Sequence, residues 1–281
     1  LLAMVEAGDE VIYPNPGFPI YESMINFAGG TAVPIPLRME NDFGLDVDEL
    51  ASLVTDRTRL IVLNSPANPT GGVVSAEQMA QVAKIAQARG IPVLADEIYS
   101  RMLYEGEFAS ITSVPGMPEQ TIILDGFSKT YAMTGWRLGY GVMPVELARQ
   151  ITKLMVNSNS CTAAFTQMAG VEALTGPQDS VAAMLAAFRR RRDLMVAGLN
   201  RIPGFRCLVP KGAFYVFPNV AGTGLSSQAL ADKLLYEAGV AALAGTCFGA
   251  YGEGFIRFSY ANSEENLKKA LERIGDVVAK L

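Results

Sequence analysis

The stretch that decides the fold runs from residue 59 to residue 96 and contains "RLIVLN" (59–64), "AEQMAQVAKIAQAR" (76–89) and "IPVLAD" (91–96). The first and third segments are short apolar runs rich in β-forming residues, which predict strands. The middle segment has apolar residues at helical spacing. Strand, helix and strand in this order predict a βαβ unit, whose two strands lie parallel in one sheet.

Turn and capping residues mark the ends of these elements. "SPANPTGG" (65–72) is predicted to be a loop because of its Pro, Asn and Gly content. Ser75 and Gln78 form a capping-box pattern at the start of the helix, and Gly90 is placed to end it. "TIILDG" (121–126) predicts a further apolar strand.

Polar side chains follow each of these strands. Asn68 comes after the first strand, Asp96 ends the second, and Ser128 and Lys129 follow the third. In open α/β sheets, ligands bind at the carboxyl ends of the strands. The sequence therefore predicts a binding site at this edge of the sheet.

Composition narrows the class of protein. The 281 residues are 50% hydrophobic, enough for one large domain or two moderate ones. A net charge of −5 argues against nonspecific binding of nucleic acid, and no apolar run reaches the roughly 18 residues of a membrane span. Three scattered cysteines indicate a reducing cytoplasm, and there is no histidine. Acid–base chemistry must then use other side chains or a cofactor, and no metal site is predicted.

The second half of the chain has a different pattern. We predict that residues 1–180 form a large α/β cofactor-binding domain, with a mostly parallel sheet flanked by helices, and that residues 181–281 form a smaller α+β domain. The long helix predicted from about Asp179 to Ile202 joins them. The other predicted elements are an apolar helix end at 1–5, a strand near 10–13, a hairpin at 205–220, a helix at 226–239, a strand at 254–261 and a closing helix at 263–281.

The stretch "GFSKTYAMTGWRLGY" (126–140) places Lys129 among glycines, aromatics and small residues. A partly desolvated amine has a lowered pKa and can form a Schiff base; the alternative is a lysine that extends from a strand end into solvent. The Ser128 hydroxyl and the Arg137 guanidinium suit a phosphate group. An amine beside a phosphate site is what pyridoxal phosphate requires.

Four residues are then candidates for binding the rest of such a cofactor. A carboxylate at Asp96 would keep the pyridine nitrogen protonated, although a strand-end Asp can also cap a helix. Tyr99 and Asn68 are candidates for the ring hydroxyl oxygen. Phe18, in "PNPGFPIY" (14–21), either stacks on the ring or packs in the core.

Arg257 lies in "GEGFIRFSY" (252–260), between apolar residues. An arginine in an apolar strand is uncommon unless it is paired. It either binds a substrate carboxylate through its two-pronged guanidinium or belongs to a buried ion pair.

Taken in order, these motifs resemble the class I/II aminotransferases, the fold-type I pyridoxal-phosphate enzymes of the aspartate aminotransferase type. The matching stretches are "NSPANPTGG", "ADEIY", "SKTYAMTGWRLGY", "PKGAFYVFP" and "GEGFIRFSYA", and the resemblance covers essentially the whole chain. It implies a pyridoxal-phosphate-dependent transferase of nitrogenous groups, which moves an amino group between an L-amino acid and a 2-oxo acid. It also implies a cytoplasmic homodimer with no nucleic-acid or membrane partner.

The resemblance implies a role for each candidate residue. Lys129 is the Schiff-base lysine and the proton shuttle. The other catalytic residues are Asp96, on the pyridine nitrogen, and Tyr99, on the ring hydroxyl oxygen. The remaining assignments are Asn68 on the same oxygen and near the substrate carboxylate, Ser128 and Arg137 on the phosphate, Phe18 on the ring face and Arg257 on the substrate carboxylate.

Three further expectations come from the same resemblance. Family members carry about 100 residues before the point where this chain begins, so we expect an N-terminally incomplete protein. A β-lyase or a cyclopropane-forming synthase on the same scaffold, or the ligand-sensing domain of an aminotransferase-like transcription regulator, are alternative functions. Dicarboxylate-specific relatives often carry an arginine in the segment that corresponds to 156–167, and this chain has none there, so aspartate, neutral and aromatic amino acids all stay open as substrates.

Overall fold

The protein is described by a computed structural model that covers residues 1–281. Its large sheet has six strands in the order β2-β1-β3-β4-β5-β6. The strands are β1 (Glu10–Asn15), β2 (Thr31–Pro36), β3 (Thr58–Asn64), β4 (Val93–Asp96), β5 (Thr121–Gly126) and β6 (Gly139–Val142). All neighbours are parallel except β5 and β6, so the predicted mostly parallel sheet is confirmed.

Helices cover this sheet and continue into the second half of the chain. They are α1 (Ile20–Phe27), α2 (Val47–Leu53), α3 (Ala76–Arg89), α4 (Val145–Ser158), α5 (Ala164–Thr175), α6 (Asp179–Leu199), α7 (Ser227–Lys233) and α8 (Glu264–Val278). The Ser75–Gln78 capping box opens α3, and Gly90 ends it at a φ of 62°. The predicted βαβ unit is therefore confirmed, with β3 and β4 parallel. No helix is both long and apolar enough to cross a bilayer.

A second, antiparallel sheet has the order β7-β9-β8 and is formed by β7 (Tyr215–Val216), β8 (Leu243–Ala244) and β9 (Ile256–Ser259). The prediction of a hairpin at 205–220 is wrong, because the two halves of this segment do not pair as regular strands. Only Arg206 and Asn219 bridge across it, while β7 pairs with β9 from far along the chain. Residues 2–4 form a turn and not the predicted end of a helix.

Two large apolar clusters pack the molecule. One fills the space between the six-stranded sheet and its helices and includes Ile12, Ile61 and Val93. The other has 27 buried residues, and it joins Tyr99 and Tyr104 to residues of α6, α7 and α8. The division of the chain into domains near residue 180 stays a proposal.

Candidate functional site

A cleft of about 550 Å³ opens at the carboxyl edge of the six-stranded sheet, where β3, β4 and β5 end. All eight residues singled out from the sequence line it: Phe18, Asn68, Asp96, Tyr99, Ser128, Lys129, Arg137 and Arg257. Parallel strands bring their following loops to one edge, which explains why residues so distant in sequence meet here. The lining residues that sequence reasoning missed are Asn64, Ile98, Leu124, Asp125, Thr134 and Tyr215.

Lys129 follows β5 and is half-buried in the cleft. Its Nζ lies 5.6 Å from the centre of the Phe214 ring and 5.9 Å from that of Tyr99. Burial lowers the pKa of this amine, and the positive charges of Arg257 and Arg137 lower it further, while Asp96 acts in the opposite direction. A lowered pKa makes the neutral, nucleophilic form of the amine more accessible.

Asp96 ends β4, and both of its carboxylate oxygens are held. Oδ1 accepts a hydrogen bond from the Ile98 N–H at 3.2 Å, and Oδ2 accepts one from the Tyr21 hydroxyl. Burial raises the pKa of Asp96, whereas the Tyr21 hydrogen bond opposes that shift. No helix follows Asp96, so the helix-cap alternative does not apply.

Tyr21 was not predicted from the sequence. It lies in α1, three residues after Phe18, so the same short segment supplies two residues of this region. Phe18 is 42% exposed at the cleft and meets the Tyr21 ring edge-on at 6.1 Å. Its ring face is therefore available to a ligand, which the core-packing alternative would not allow.

Tyr99 and Tyr215 form a buried pair of hydroxyls whose oxygens are 2.9 Å apart. Burial is the main reason that the pKa of Tyr99 is raised well above its usual range. The Tyr99 phenol therefore stays protonated, and it has one proton to donate.

Arg257, in β9, reaches across from the small sheet to the loop after β3. Its Nη1 donates to Asn68 Oδ1 at 2.9 Å, and Asn64 Oδ1 in turn accepts from the Asn68 N–H at 3.0 Å. The guanidinium carbon lies 4.4 Å from the centre of the Tyr215 ring and 4.7 Å from that of Phe248.

The charge of Arg257 has no carboxylate partner. None of the ion pairs in the structure involves Arg257, so the buried ion-pair alternative is wrong. Its Nε is buried and has no hydrogen-bond partner, and burial lowers the pKa of the group. A partly buried cation with no ion-pair partner is costly, so this arginine is suited to an anionic ligand.

Ser128 and Arg137 lie at the β5–β6 end of the cleft. Arg137 has a left-handed backbone (φ 56°), and its Nη1 donates to the Thr134 carbonyl at 2.7 Å. The guanidinium is exposed, which leaves its other N–H groups free to bind a ligand. An arginine beside a serine hydroxyl is a suitable donor set for a phosphate.

Taken together, the mostly parallel sheet, the strand-end amine and the partly buried carboxylate of Asp96 indicate an α/β protein with a ligand site at the carboxyl edge of its sheet. Residues 1–274 match the family model described as "Aminotransferase class I and II". The chain belongs to this family, and it is therefore an enzyme that transfers amino groups.

Individual relatives agree over nearly the whole chain. A putative aminotransferase of Bacillus subtilis (strain 168) is 42% identical over 272 residues, which is 97% of this chain and 70% of the relative. An aspartate aminotransferase of Pyrococcus horikoshii is 42% identical over 274 residues, again 97% of this chain and 70% of the relative. The crystal structure of an aromatic aminotransferase from Pyrococcus horikoshii OT3 superposes with a TM-score of 0.96 at 39% identity, covering 100% of this chain and 76% of the other.

Proposed function

We propose that this aminotransferase uses pyridoxal phosphate to exchange an amino group between an L-amino acid and a 2-oxo acid. The observation that carries the proposal is the arrangement around Lys129. Its amine is half-buried in one cleft with the carboxylate of Asp96 and the two arginines Arg137 and Arg257. The α-carboxylate is common to all amino and 2-oxo acids, so an arginine that binds it defines this class of substrate.

The residues present fit this cofactor. The cleft volume of about 550 Å³ is within the range of small-ligand sites. Asp96 would hold the pyridine nitrogen, Ser128 and Arg137 the phosphate, and Phe18 the ring face. Tyr99 and Asn68 would lie at the ring hydroxyl oxygen. The unpartnered Nε of Arg257 is left for the substrate.

When bound, pyridoxal phosphate supplies an aldehyde that condenses with amines and a ring that accepts the electron pair released as the α-proton leaves. Lys129 Nζ would be the base that accepts the α-proton of the substrate and the acid that returns a proton, and its lowered pKa suits both roles. Asp96 would hold a proton on the ring nitrogen, and the hydrogen bonds from the Tyr21 hydroxyl and the Ile98 N–H orient its carboxylate for that role. Arg257 and Asn68 hold the carboxylate in place while the proton moves.

The first test is chemical trapping. Borohydride reduction of the protein incubated with pyridoxal phosphate should fix the cofactor on Lys129, because that amine is the lysine of the cleft with the lowered pKa. Peptide mapping by mass spectrometry identifies the labelled residue. A label on another lysine, or no label, would show that the proposed function is wrong.

We also propose that the protein works in the cytoplasm. Its three cysteines, Cys161, Cys207 and Cys247, are all free. Burial raises the pKa of Cys207 to about 12, so this thiol is a core residue and not a reactive group. Free thiols are typical of a reducing compartment.

A large apolar face lies beside the cleft, and we propose that it joins two copies of the chain. None of the 14 residues of α4 is buried, although the helix carries several apolar side chains. The exposed apolar residues of this face are Trp136, Val145, Leu154, Met155, Val156, Phe165, Met168, Val171 and Leu174. The groove between α4 and α5 is also lined by Arg137, so the face is continuous with the cleft. A patch of this kind is typical of an interface between subunits.

The dimer is tested by sedimentation. We expect a particle of twice the chain mass of 30.1 kDa. Met168→Glu and Phe165→Glu should shift it to the monomer, since a charge at an apolar interface is costly. Tyr236→Glu, at an exposed aromatic outside this face, is the matched control and should leave the dimer unchanged. A monomer in the unchanged protein would contradict the proposal.

A further inference from the structure

The buried hydroxyl pair of Tyr99 and Tyr215 has a consequence for proton donation. The two oxygens are 2.9 Å apart, and either could be the donor. Each phenol has one proton. If Tyr99 donates to Tyr215, it has no proton left for a ligand in the cleft. Tyr99 is free to donate into the cleft only when Tyr215 donates to it.

The ring of Tyr215 has a second contact. The guanidinium of Arg257 lies 4.4 Å from its centre, close enough for a cation–π interaction. This contact holds a partly buried arginine whose only hydrogen bond is to Asn68. The hydroxyl of Tyr215 therefore contacts Tyr99, whereas the face of its ring contacts Arg257. Both Tyr215 and Tyr99 line the cleft.

We propose that Tyr215 is a positioning residue that serves both halves of the site. Its hydroxyl donates to Tyr99 and so directs the Tyr99 proton toward the cofactor oxygen, and its ring supports Arg257 for the substrate carboxylate. This inference rests on the proposed function. The two contacts belong to different parts of one side chain, so two substitutions separate them.

Tyr215→Phe removes the hydroxyl and keeps the ring. Without that donor, Tyr99 gives a weaker hydrogen bond to the cofactor oxygen, which disfavours the deprotonated form of the chromophore. The charged groups facing this pair are Asp96, Lys129 and Arg257, and the substitution leaves all three in place. We expect the pH midpoint of the visible absorbance of the bound cofactor to rise by about half a unit to one unit. The dissociation constant of maleate, a dicarboxylate probe, should change less than about twofold because the ring stays.

Tyr215→Leu removes the ring as well. We expect it to produce the same rise in the pH midpoint and, in addition, to weaken maleate binding about tenfold, because Arg257 loses its support. Calorimetric titration of the loaded protein measures the binding. If Tyr215 had only a structural role, the pH midpoint and the maleate affinity would change together in the Phe and Leu variants, and not separately.

Tyr260→Phe is the matched control, because Tyr260 also forms a buried tyrosine pair. Its hydroxyl donates to Tyr104 at 3.1 Å, and neither residue lines the cleft. We expect this variant to match the unchanged protein in both measurements. If the bound cofactor in Tyr215→Phe has the same pH midpoint as in the unchanged protein, the proposed role of the hydroxyl is wrong. If Tyr215→Leu binds maleate as tightly as Tyr215→Phe, the proposed support of Arg257 by the ring is wrong.

These outcomes are distinct from failure of the proposed function. That failure appears in the unchanged protein, as absent borohydride labelling of Lys129. The Tyr215 inference fails when the unchanged protein is labelled on Lys129 and the Phe and Leu variants titrate and bind like it.

Discussion

Lys129→Arg should abolish amino transfer, with turnover falling by at least about 10⁴-fold. Arginine keeps the positive charge and much of the length of the side chain. It forms no Schiff base and cannot act as a base near neutral pH, because the guanidinium group stays protonated. The structure sharpens this expectation, since burial and two neighbouring arginines lower the pKa of Lys129. No other lysine lines the cleft to replace it.

The measurement is the half-reaction with an amino acid, followed by absorbance. Lys211→Arg is the matched control, because Lys211 is an exposed lysine that pairs with Asp42 at 3.4 Å and lies outside the cleft. That variant should keep its turnover within about twofold, as expected for an exposed ion pair. Turnover of Lys129→Arg within about tenfold of the unchanged protein would contradict the assignment of Lys129 as the base.

Asp96→Asn should slow the same half-reaction by about 10³-fold or more while the fold is kept. The amide has almost the shape of the carboxylate but lacks the negative charge that holds a proton on the ring nitrogen. Without that proton, the ring is a poor acceptor for the electron pair of the substrate. The amide oxygen can still accept from the Ile98 N–H, and the Tyr21 hydroxyl can rotate to accept from the new amide N–H, so we expect the geometry to survive the substitution.

Glu97→Gln is the matched control for this effect. Glu97 is the next residue, its carboxylate is also buried, and it accepts a hydrogen bond from Ser110 at 2.6 Å without lining the cleft. Rapid-mixing absorbance measures the half-reaction in both variants, and thermal unfolding checks the fold. Near-normal rates in Asp96→Asn would rule out the role of Asp96 as the partner of the ring nitrogen. Equal slowing in both variants would point to a general effect of removing buried charge.

The sequence predicted the parts of the fold that depend on local chemistry. The apolar runs of β3 and β4, the capping box of α3 and the glycine at its end are all readable from neighbouring residues. Parallel pairing followed from the strand–helix–strand order. The eight candidate residues could be named because each follows a strand or interrupts an apolar run, and the carboxyl edge of a sheet brings such positions together.

The two predictions of secondary structure that were wrong, the hairpin at 205–220 and the helix end at 1–5, have a common cause. The segment at 205–220 has the alternation of a hairpin, yet its strand β7 pairs with β9, about 40 residues further along the chain. Strand pairing depends on which surface is available to be covered, and this information is not local. The turn at residues 2–4 was likewise mistaken for a helix end because apolar content alone does not fix helical structure over so few residues.

The motifs of the sequence, through their resemblance to the class I/II aminotransferases, were enough to indicate the family and the class of chemistry of this protein. Only the tertiary structure decided which side chains touch inside the cleft. Tyr21 meets Asp96 across 75 residues, Tyr99 meets Tyr215 across 116, and Asn68 meets Arg257 across 189. The physical reason is that side-chain periodicity, caps and turns depend on residues a few positions apart, whereas these hydrogen bonds form only after separate elements have packed around the edge of one sheet.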